Sequence, residues 1–268
     1  MDKPQDFLLR AAGLTARLPY MTLGPLSLDI GRGQAAGIMG RSGSGKSTLL
    51  RMLALFVQPD GGSLYTRHRS WDFGAPRPIA PDALTAHRRR VVYVSQDNTL
   101  WPHLTLRQNI EFGPTRVLQL SASESHARAD ALLEALDLKH VAASRTWTVS
   151  GGEARRGAVA RALALEPDVI LLDEPETGLD PVRAARQMDL ILSTCERAGT
   201  GAVIVSHNPS TILRATTMVH VLHAGAVVET GATQTVLQYP EHAETQALLA
   251  AAATAAFCST PTVRKETL

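Results

Sequence analysis

An α/β fold, with a mostly parallel sheet behind a phosphate-binding loop, is predicted for this chain by three observations. The stretch Gly40-Arg41-Ser42-Gly43-Ser44-Gly45-Lys46-Ser47-Thr48 fits G-x-x-x-x-G-K-[ST], a loop that wraps backbone N–H groups around phosphates. Short apolar runs, Val91-Val92-Tyr93-Val94, Val169-Ile170-Leu171-Leu172 and Ala202-Val203-Ile204-Val205, alternate with helical patterns, as in a sheet covered on both faces. Two of these runs end in ionisable residues, Asp173-Glu174 and His207, at the carboxyl edge where such sheets bind ligands.

Ahead of the loop, Leu26-Ser27-Leu28-Asp29-Ile30 alternates apolar and polar residues and predicts a strand in an N-terminal β part. Gly31-Arg32-Gly33 marks a turn, and the apolar Ala35-Ala36-Gly37-Ile38-Met39 leads into the loop. Ser47-Thr48-Leu49-Leu50-Arg51-Met52-Leu53 reads as the helix that follows. A bound phosphate would then face a helix N-terminus, where unpaired N–H groups and the helix dipole favour negative charge. Glycines lack a Cβ and let the backbone approach the anion. Lys46 supplies a point charge, and the Ser47 hydroxyl is a hard oxygen ligand for Mg²⁺. A glycine-rich surface turn would also match the pattern, but not its strand–loop–helix setting.

Gly61-Gly62 marks a second turn, and the Pro- and Gly-rich stretch from there to about Ala86 shows little periodicity and reads as connecting loops. His87-Arg88-Arg89-Arg90 is a dense basic run, read as a solvated helix end before the strand at Val91. Ser121-Ala122-Ser123-Glu124 has the form of a capping box, and Ala129, Leu132, Leu133 and Leu136 follow at helical spacing. A helical subdomain is expected over about 97–156. Residues 155–165 are helical in pattern, and Asp180-Pro181 starts a further helix, with Asp as N-cap and Pro at the first helical position. Gly199 and Gly201 close that helix. Residues 219–228, turning at Ala224-Gly225, predict a hairpin. The main domain is expected over 1–245, and the alanine-rich, then polar, tail 246–268 is expected to be partly disordered and to fray.

With 268 residues, 44% apolar and 19% charged, the chain can bury a sizeable core as one large domain or two small ones. A net charge of +2 is too small for broad electrostatic binding to nucleic acid or anionic lipid. Cys195 and Cys258 make no disulfide framework and carry no metal-ligand spacing, which suits a reducing compartment, and Cys195 sits in a helical pattern as buried filler. Met1-Asp2-Lys3-Pro4-Gln5-Asp6 lacks the order of a signal peptide, and the apolar run near 247–257 falls short of the ~20 residues that span a bilayer. A role at a membrane would come through a partner.

Asp173 is placed to hold Mg²⁺ through water, and Glu174 beside it to polarise an attacking water. A buried acidic pair with no role would be costly. In the long interval between Lys46 and Asp173 stands Val149-Ser150-Gly151-Gly152-Glu153, immediately before a helix. Alone it would be an N-capping turn, but a short way before the acidic pair it is far more specific.

With these elements in this order, the chain resembles the ATP-binding subunit of an ABC transporter over roughly 14–249. The resemblance rests on the loop 40–48, Gln96, Ser150-Gly151-Gly152-Glu153, Asp173-Glu174, Gly178-Leu179-Asp180 and His207. It implies a P-loop NTPase core with an antiparallel N-terminal part and an inserted helical subdomain, ATP as the nucleotide and Mg²⁺ as the metal. It implies Ser47, Gln96 and Asp173 as metal-site residues, and Glu174, His207 and Gln96 as catalytic ones. By the same resemblance Ser150, Gly151, Gly152 and Glu153 form the nucleotide-binding signature, in which Ser150 and Gly152 cap the γ-phosphate of ATP held by an opposing copy, and Asp180 lies at the seam. An aromatic stacks on adenine in the family; Tyr20 is the nearest one here, although strict spacing falls on Arg17 or Leu18.

Departures from the family pattern are Val149 for Leu, Glu153 for Gln and Glu176 for Thr. Glu153 brings negative charge near a polyanion and is expected to weaken the site mildly, with its side chain pointing away. No consequence is read from Glu176. The implied partners are a second copy of the chain, an integral membrane permease and a solute-binding protein, with no nucleic acid, at the cytoplasmic face of the inner membrane. Residues 100–110 resemble the segment that meets the permease in bacterial import subunits, with Trp101 and Leu104 either as its apolar anchors or as ordinary subdomain core.

By the resemblance, a cassette that stands free of membrane spans implies import in bacteria. A soluble ABC-type ATPase of cofactor assembly or of another non-transport process is the alternative. A P-loop kinase or GTPase would leave Ser150 to Glu153 and His207 unexplained, and the guanine motif Asn-Lys-x-Asp is missing. A non-hydrolysing regulator is opposed by Glu174 together with His207. The transported solute is not encoded in such a subunit.

Overall fold

The computed structural model describes residues 7–74, 78–97 and 99–258. A six-stranded sheet runs through its centre in the order β10-β9-β3-β8-β7-β6. Its strands are β3 (Ala35–Met39), β6 (Val91–Val94), β7 (Val169–Asp173), β8 (Gly201–Val205), β9 (Met218–His223) and β10 (Ala226–Ala232). All neighbours are parallel except β10, which returns antiparallel to β9 as a hairpin. All five residues of β7 and of β8 are buried, so both faces are covered. The two-residue period then divides them: Ile170, Leu172, Ala202 and Ile204 join the core on one face, while Val169, Leu171, Val203 and Val205 join the core on the other.

The second face lies under an antiparallel sheet, β2-β1-β4-β5, made of β1 (Phe7–Leu18), β2 (Met21–Gly31), β4 (Gly61–Thr66) and β5 (Ser70–Asp72). Between the sheets runs α1 (Lys46–Leu53), with Leu49, Leu50, Met52 and Leu53 fully buried. The first face is covered by α5 (Gly151–Leu163), α6 (Pro181–Ala198) and α7 (Pro209–Ala215). The helical subdomain adds α3 (Leu106–Arg116) and α4 (Ala122–Ala135) against α5, with Ile110, Ala129, Leu133 and Val159 at the contact. Both α3 and α4 start with complete capping boxes, Thr105–Gln108 and Ser121–Glu124, which satisfy backbone donors that the first turn would leave open.

One expectation is corrected. Residues 61–86 are not simple loops: they contain β4, β5 and most of α2 (Pro81–Arg90). Gly62, read as a turn, lies within β4 at φ 83°, where the register with β1 shifts, and a Cβ there would lie 2.3 Å from the Gly13 carbonyl oxygen. A strand opened by two glycines and burying only Leu64 fully has almost no hydrophobic period to detect. The alanine-rich tail, expected to fray, is helical as α9 (Ala243–Cys258); residues 259–268 lie outside the described residues. Among the described residues no helix is long and apolar enough to cross a membrane.

Candidate functional site

The parallel register brings the chemistry to one edge. Val94 of β6 stands opposite Leu172 of β7, and Asp173 opposite Val205 of β8. Gln96, Asp173-Glu174 and Ser206-His207 therefore leave the sheet side by side, next to the loop that follows β3.

Gly45, at φ 103°, caps α1 without any side-chain acceptor, which leaves the first-turn N–H groups open. A Cβ on Gly45 would lie 2.4 Å from Leu23 Cδ2, because β2 packs directly against the loop. Arg41, Ser42 and Gly43 are exposed, and no atom lies within 4 Å of where a Gly43 Cβ would stand. The Lys46 ammonium is buried and donates to the carbonyls of Gly40 at 2.8 Å and Arg41 at 2.9 Å. Burial lowers its pKa, and the charges of Glu174 and Asp173 oppose that in part. The Ser44 hydroxyl is buried with no hydrogen-bond partner among the described residues. Open N–H groups, an orphaned hydroxyl and a cation in one concave loop fit a polyphosphate. Thr48 continues the helix, half-buried.

Asp173, the buried last residue of β7, has both carboxylate oxygens engaged. Ser47 Oγ donates to Oδ1 at 3.1 Å, and Tyr93 Oη donates to Oδ2 at 2.8 Å. Burial, followed by the bond to Asp173, pushes the Tyr93 phenol up to about 12, so it stays a donor. A hydroxyl and one carboxylate are the donor set Mg²⁺ takes when phosphates and water complete its shell. Among the described residues no cluster of three or more His, Cys, Asp or Glu could hold a metal by itself. Gln96 is exposed at the end of β6, and among the described residues no hydrogen bond ties its amide to Ser47 or Asp173.

Glu174 has φ 46°, and its N–H donates to Val205 O at 2.9 Å. Its Oε2 accepts from Thr177 Oγ1 at 2.9 Å, and its Oε1 lies 3.2 Å from Nδ1 of the half-exposed His207. Burial pushes this carboxyl up, but the Thr177 and His207 hydrogen bonds, with the charges of His207 and Lys46, hold it below the ordinary glutamate value. Such a group is ionised at neutral pH and can accept a proton from water. Glu176, from which the sequence suggested no consequence, is buried beside it. The Ser206 hydroxyl donates to Glu176 Oε1, while Oε2 has no partner, and burial pushes this carboxyl up.

Ser150 is the N-cap of α5, its hydroxyl accepting from the Glu153 N–H at 3.3 Å. Glu153 folds back: its Oε2 accepts from Ser150 N and Ser150 Oγ, both at 2.7 Å, and its Oε1 lies 2.8 Å from His140 Nε2. The Ser150 hydrogen bond foremost holds its carboxyl below the ordinary value. Gly151 is open, and Gly152 faces Gln187 and Leu179. Among the described residues no hydrogen bond or ion pair joins 150–153 to the loop 40–48. Asp180 caps α6, accepting from the N–H groups of Val182 and Arg183 at 3.1 and 3.0 Å. Tyr20 stands fully exposed in the β1–β2 turn, next to Met21, whose Cε is 3.6 Å from the Gly45 Cβ position.

Trp101 packs on Phe112 with ring centroids 4.4 Å apart and carries the Arg161 guanidinium 4.9 Å from its centre. Both rings stay partly exposed, and Leu104 is half-buried.

Three residues of this edge escaped the sequence reading: Tyr93, Thr177 and Arg155. Tyr93 is the one hydroxyl in an aliphatic run. Arg155 sits on the buried stripe of α5, in step with Ala158, Val159 and Ala162, and a cation on such a stripe is the signal that could have found it.

What the loop offers a polyphosphate, the edge of β7 and β8 offers a water molecule, and together they define a nucleoside triphosphate hydrolase. The chain belongs to the ABC transporter family, whose model matches residues 23–177, and is an ATP-binding, ATP-hydrolysing subunit. It is 38% identical over 212 residues to the arginine transport ATP-binding protein ArtP of Escherichia coli K12, covering 79% of this chain and 86% of that one. It is 35% identical over 218 residues to the molybdenum import ATP-binding protein ModC of Mycobacterium tuberculosis H37Rv, covering 80% of this chain and 58% of the relative.

Among solved structures, cbiO1 from Clostridium perfringens, part of the ABC transporter complex cbiONQ, superposes with a TM-score of 0.78 at 26% identity. That match covers 88% of this chain and 93% of cbiO1. The ATP-binding cassette MJ0796, a dimeric post-hydrolysis state bound to ADP and Pi, gives a TM-score of 0.71 at 28% identity, covering 84% and 98%.

Proposed function

We propose that this chain drives solute import by hydrolysing ATP as a head-to-tail pair of copies. The pair docks on an integral membrane permease at the cytoplasmic face of the inner membrane, with a solute-binding protein delivering the solute. The observation that carries the reading is the Glu174 carboxylate, whose Oε1 lies 3.2 Å from His207 Nδ1 at the edge where the Ser47–Asp173 pair also ends. Relatives named for molybdenum import and methionine import support the direction, and the relative named for arginine transport supports transport. Relatives named for such different solutes are consistent with solute choice lying outside this chain, in the permease and the binding protein.

The loop 40–48 and Lys46 hold the β- and γ-phosphates. Ser47, Asp173 and Gln96 hold Mg²⁺, which when bound neutralises phosphate charge. Glu174 takes a proton from the attacking water, and His207, beside it, contacts the γ-phosphate. Ser150, Gly151, Gly152 and Glu153 stay apart from the loop of their own chain, which suits completion of the site by a second copy, with Asp180 at the seam. Tyr20 lies within reach of a base whose phosphates occupy the loop. The exposed Trp101–Phe112 pair, with Leu104, is the apolar surface for the permease.

The test is Glu174→Gln in the purified chain. A positioned base is worth ~10²–10⁴ in rate, and the amide keeps shape while removing the base and one negative charge. ATP binding should persist, hydrolysis should nearly stop, and light scattering should report dimers with ATP but not with ADP. Wild-type turnover in this variant would remove Glu174 from catalysis, and a monomer with ATP bound would refute the shared site.

A further inference from the structure

We propose that Arg155 is a positioning residue that locks the helix α5 to Gln96 and Glu174, so that a shift of this helix is carried into the hydrolytic edge. The proposal rests on the reading of Glu174 and Gln96 given above.

Arg155 lies in the second turn of α5 and is only 8% exposed. Its Nη2 donates to the Gln96 carbonyl at 2.8 Å. Its Nη1 donates to the Glu174 carbonyl at 2.6 Å and reaches the Thr177 carbonyl at 3.3 Å. One planar fork thus joins three segments: α5, the end of β6 and the turn after β7. A guanidinium holds its donors in fixed relative directions, so the two carbonyls it bridges cannot move independently of α5. Glu176, Glu174, Asp173 and Asp97 face its charge and offset the cost of burying it.

The backbone of Glu174 shows why such a lock matters. At φ 46° this residue occupies a region that a side chain with a Cβ holds only when its surroundings over-determine it. Three bonds do so: Glu174 N–H to Val205 O at 2.9 Å, Thr177 N–H to Glu174 O at 3.2 Å, and the Arg155 fork. The first comes from β8 and the second from within the turn. The third comes from α5, whose N-cap is Ser150, five positions earlier on the same rigid helix. A ligand drawing on Ser150 therefore acts, through Arg155, on the carbonyls of both Gln96 and Glu174.

The experiment compares the purified full chain with Arg155→Met and Arg155→Lys. It reads KM for Mg-ATP, turnover per bound nucleotide, and the thermal midpoint. Methionine keeps the stem and removes the fork, whereas lysine keeps the charge but cannot span both carbonyls with one ammonium. Arg155→Met should lose roughly ten- to hundredfold in turnover per bound nucleotide, since small misplacements of catalytic groups cost that much. KM for Mg-ATP should rise by a smaller factor than turnover falls, because the phosphate loop is untouched and only Gln96 of the metal-site residues is displaced, and Arg155→Lys should fall between.

A merely structural role would lower the thermal midpoint and the number of competent sites while each surviving site turned over at the wild-type rate; that result overturns the proposal. Should the methionine variant fail to fold, wild-type turnover per site in the lysine variant overturns it instead. Glu174→Gln measured in parallel separates the two readings. An inactive Glu174→Gln beside a fully active Arg155→Met sinks only the Arg155 role, whereas an active Glu174→Gln sinks the site on which it rests.

Discussion

Tyr93 Oη donates to Asp173 Oδ2 at 2.8 Å, across the β6–β7 ladder. In the parallel register Tyr93 stands opposite Leu171, so its ring leans along the strand to reach the residue two positions on. With Ser47 on Oδ1, the phenol fixes the rotation of the carboxylate proposed to hold Mg²⁺.

Tyr93→Phe keeps the ring and removes this bond. A hydrogen bond to a charged group contributes about 1.5–3 kcal/mol, and the partial exposure of Tyr93 puts its share at the lower end. The variant should unfold at lower urea concentration and show a raised KM for Mg-ATP, with kcat less affected. A KM equal to wild type would show that Ser47 alone orients Asp173.

Thr177→Val tests how Glu174 is kept ionised. The Thr177 hydroxyl is one of the bonds that lower the Glu174 pKa, so its loss raises that pKa. A base must be deprotonated to act, and the acid limb of the kcat–pH profile should therefore move to higher pH, with the plateau above it little changed. Thr177→Ser should restore the wild-type limb. An unshifted limb in the valine variant would mean that His207 and Lys46 suffice.

Glu153→Gln removes a negative charge from the N-terminus of α5 while leaving an acceptor for the Ser150 N–H, since glutamine also closes a capping box. The Ser150 hydroxyl, now donating to the Glu153 carboxylate, becomes freer to donate to a phosphate. In a Glu174→Gln background the double variant should dimerise at lower ATP concentration than Glu174→Gln alone. Equal midpoints by light scattering would show that the charge of Glu153, held against Ser150 and His140, does not reach the phosphate.

Acid should destabilise the fold through two buried histidines. His87, bonded to Leu53 O, and His220 both have pKa values lowered by burial from 6.5 to about 4. Their neutral forms are favoured only in the folded state, so the unfolded chain takes up protons first. The stability is complete above pH 6.5 and is lost as pH falls toward 4, by about 3 kcal/mol for each histidine. Thermal midpoints between pH 7 and 4 should fall less steeply in His87→Gln. A slope identical to wild type would remove His87 from the acid response.

Much of this architecture was legible because its signals are local. The loop 40–48 is contiguous, and its strand and helix flank it directly. The apolar runs before Asp173-Glu174 and His207 are short enough to read as buried strands, and the capping box at Ser121 needs only its own four residues. The strands β4 and β5 left no such trace, because their pairing with β1 and with each other rests on backbone ladders rather than on an apolar period. The fold of Glu153 onto Ser150 and His140, rather than outward, likewise depends on a residue from another element.

The sequence by itself determined the strand, loop and helix around residues 40–48, that the runs ending at Leu172 and Val205 are buried strands, and that Asp173-Glu174 and His207 follow the ends of those strands. Each of these follows from spacing along a single segment. The tertiary structure alone decided that Tyr93 reaches Asp173, that Thr177 and His207 share Glu174, and that Arg155 bridges Gln96 to Glu174. The bonds made by Tyr93 and Arg155, and that of His207, join segments brought together only by strand register and helix packing. In each of these contacts, a donor meets its acceptor across a separation to which local periodicity is blind.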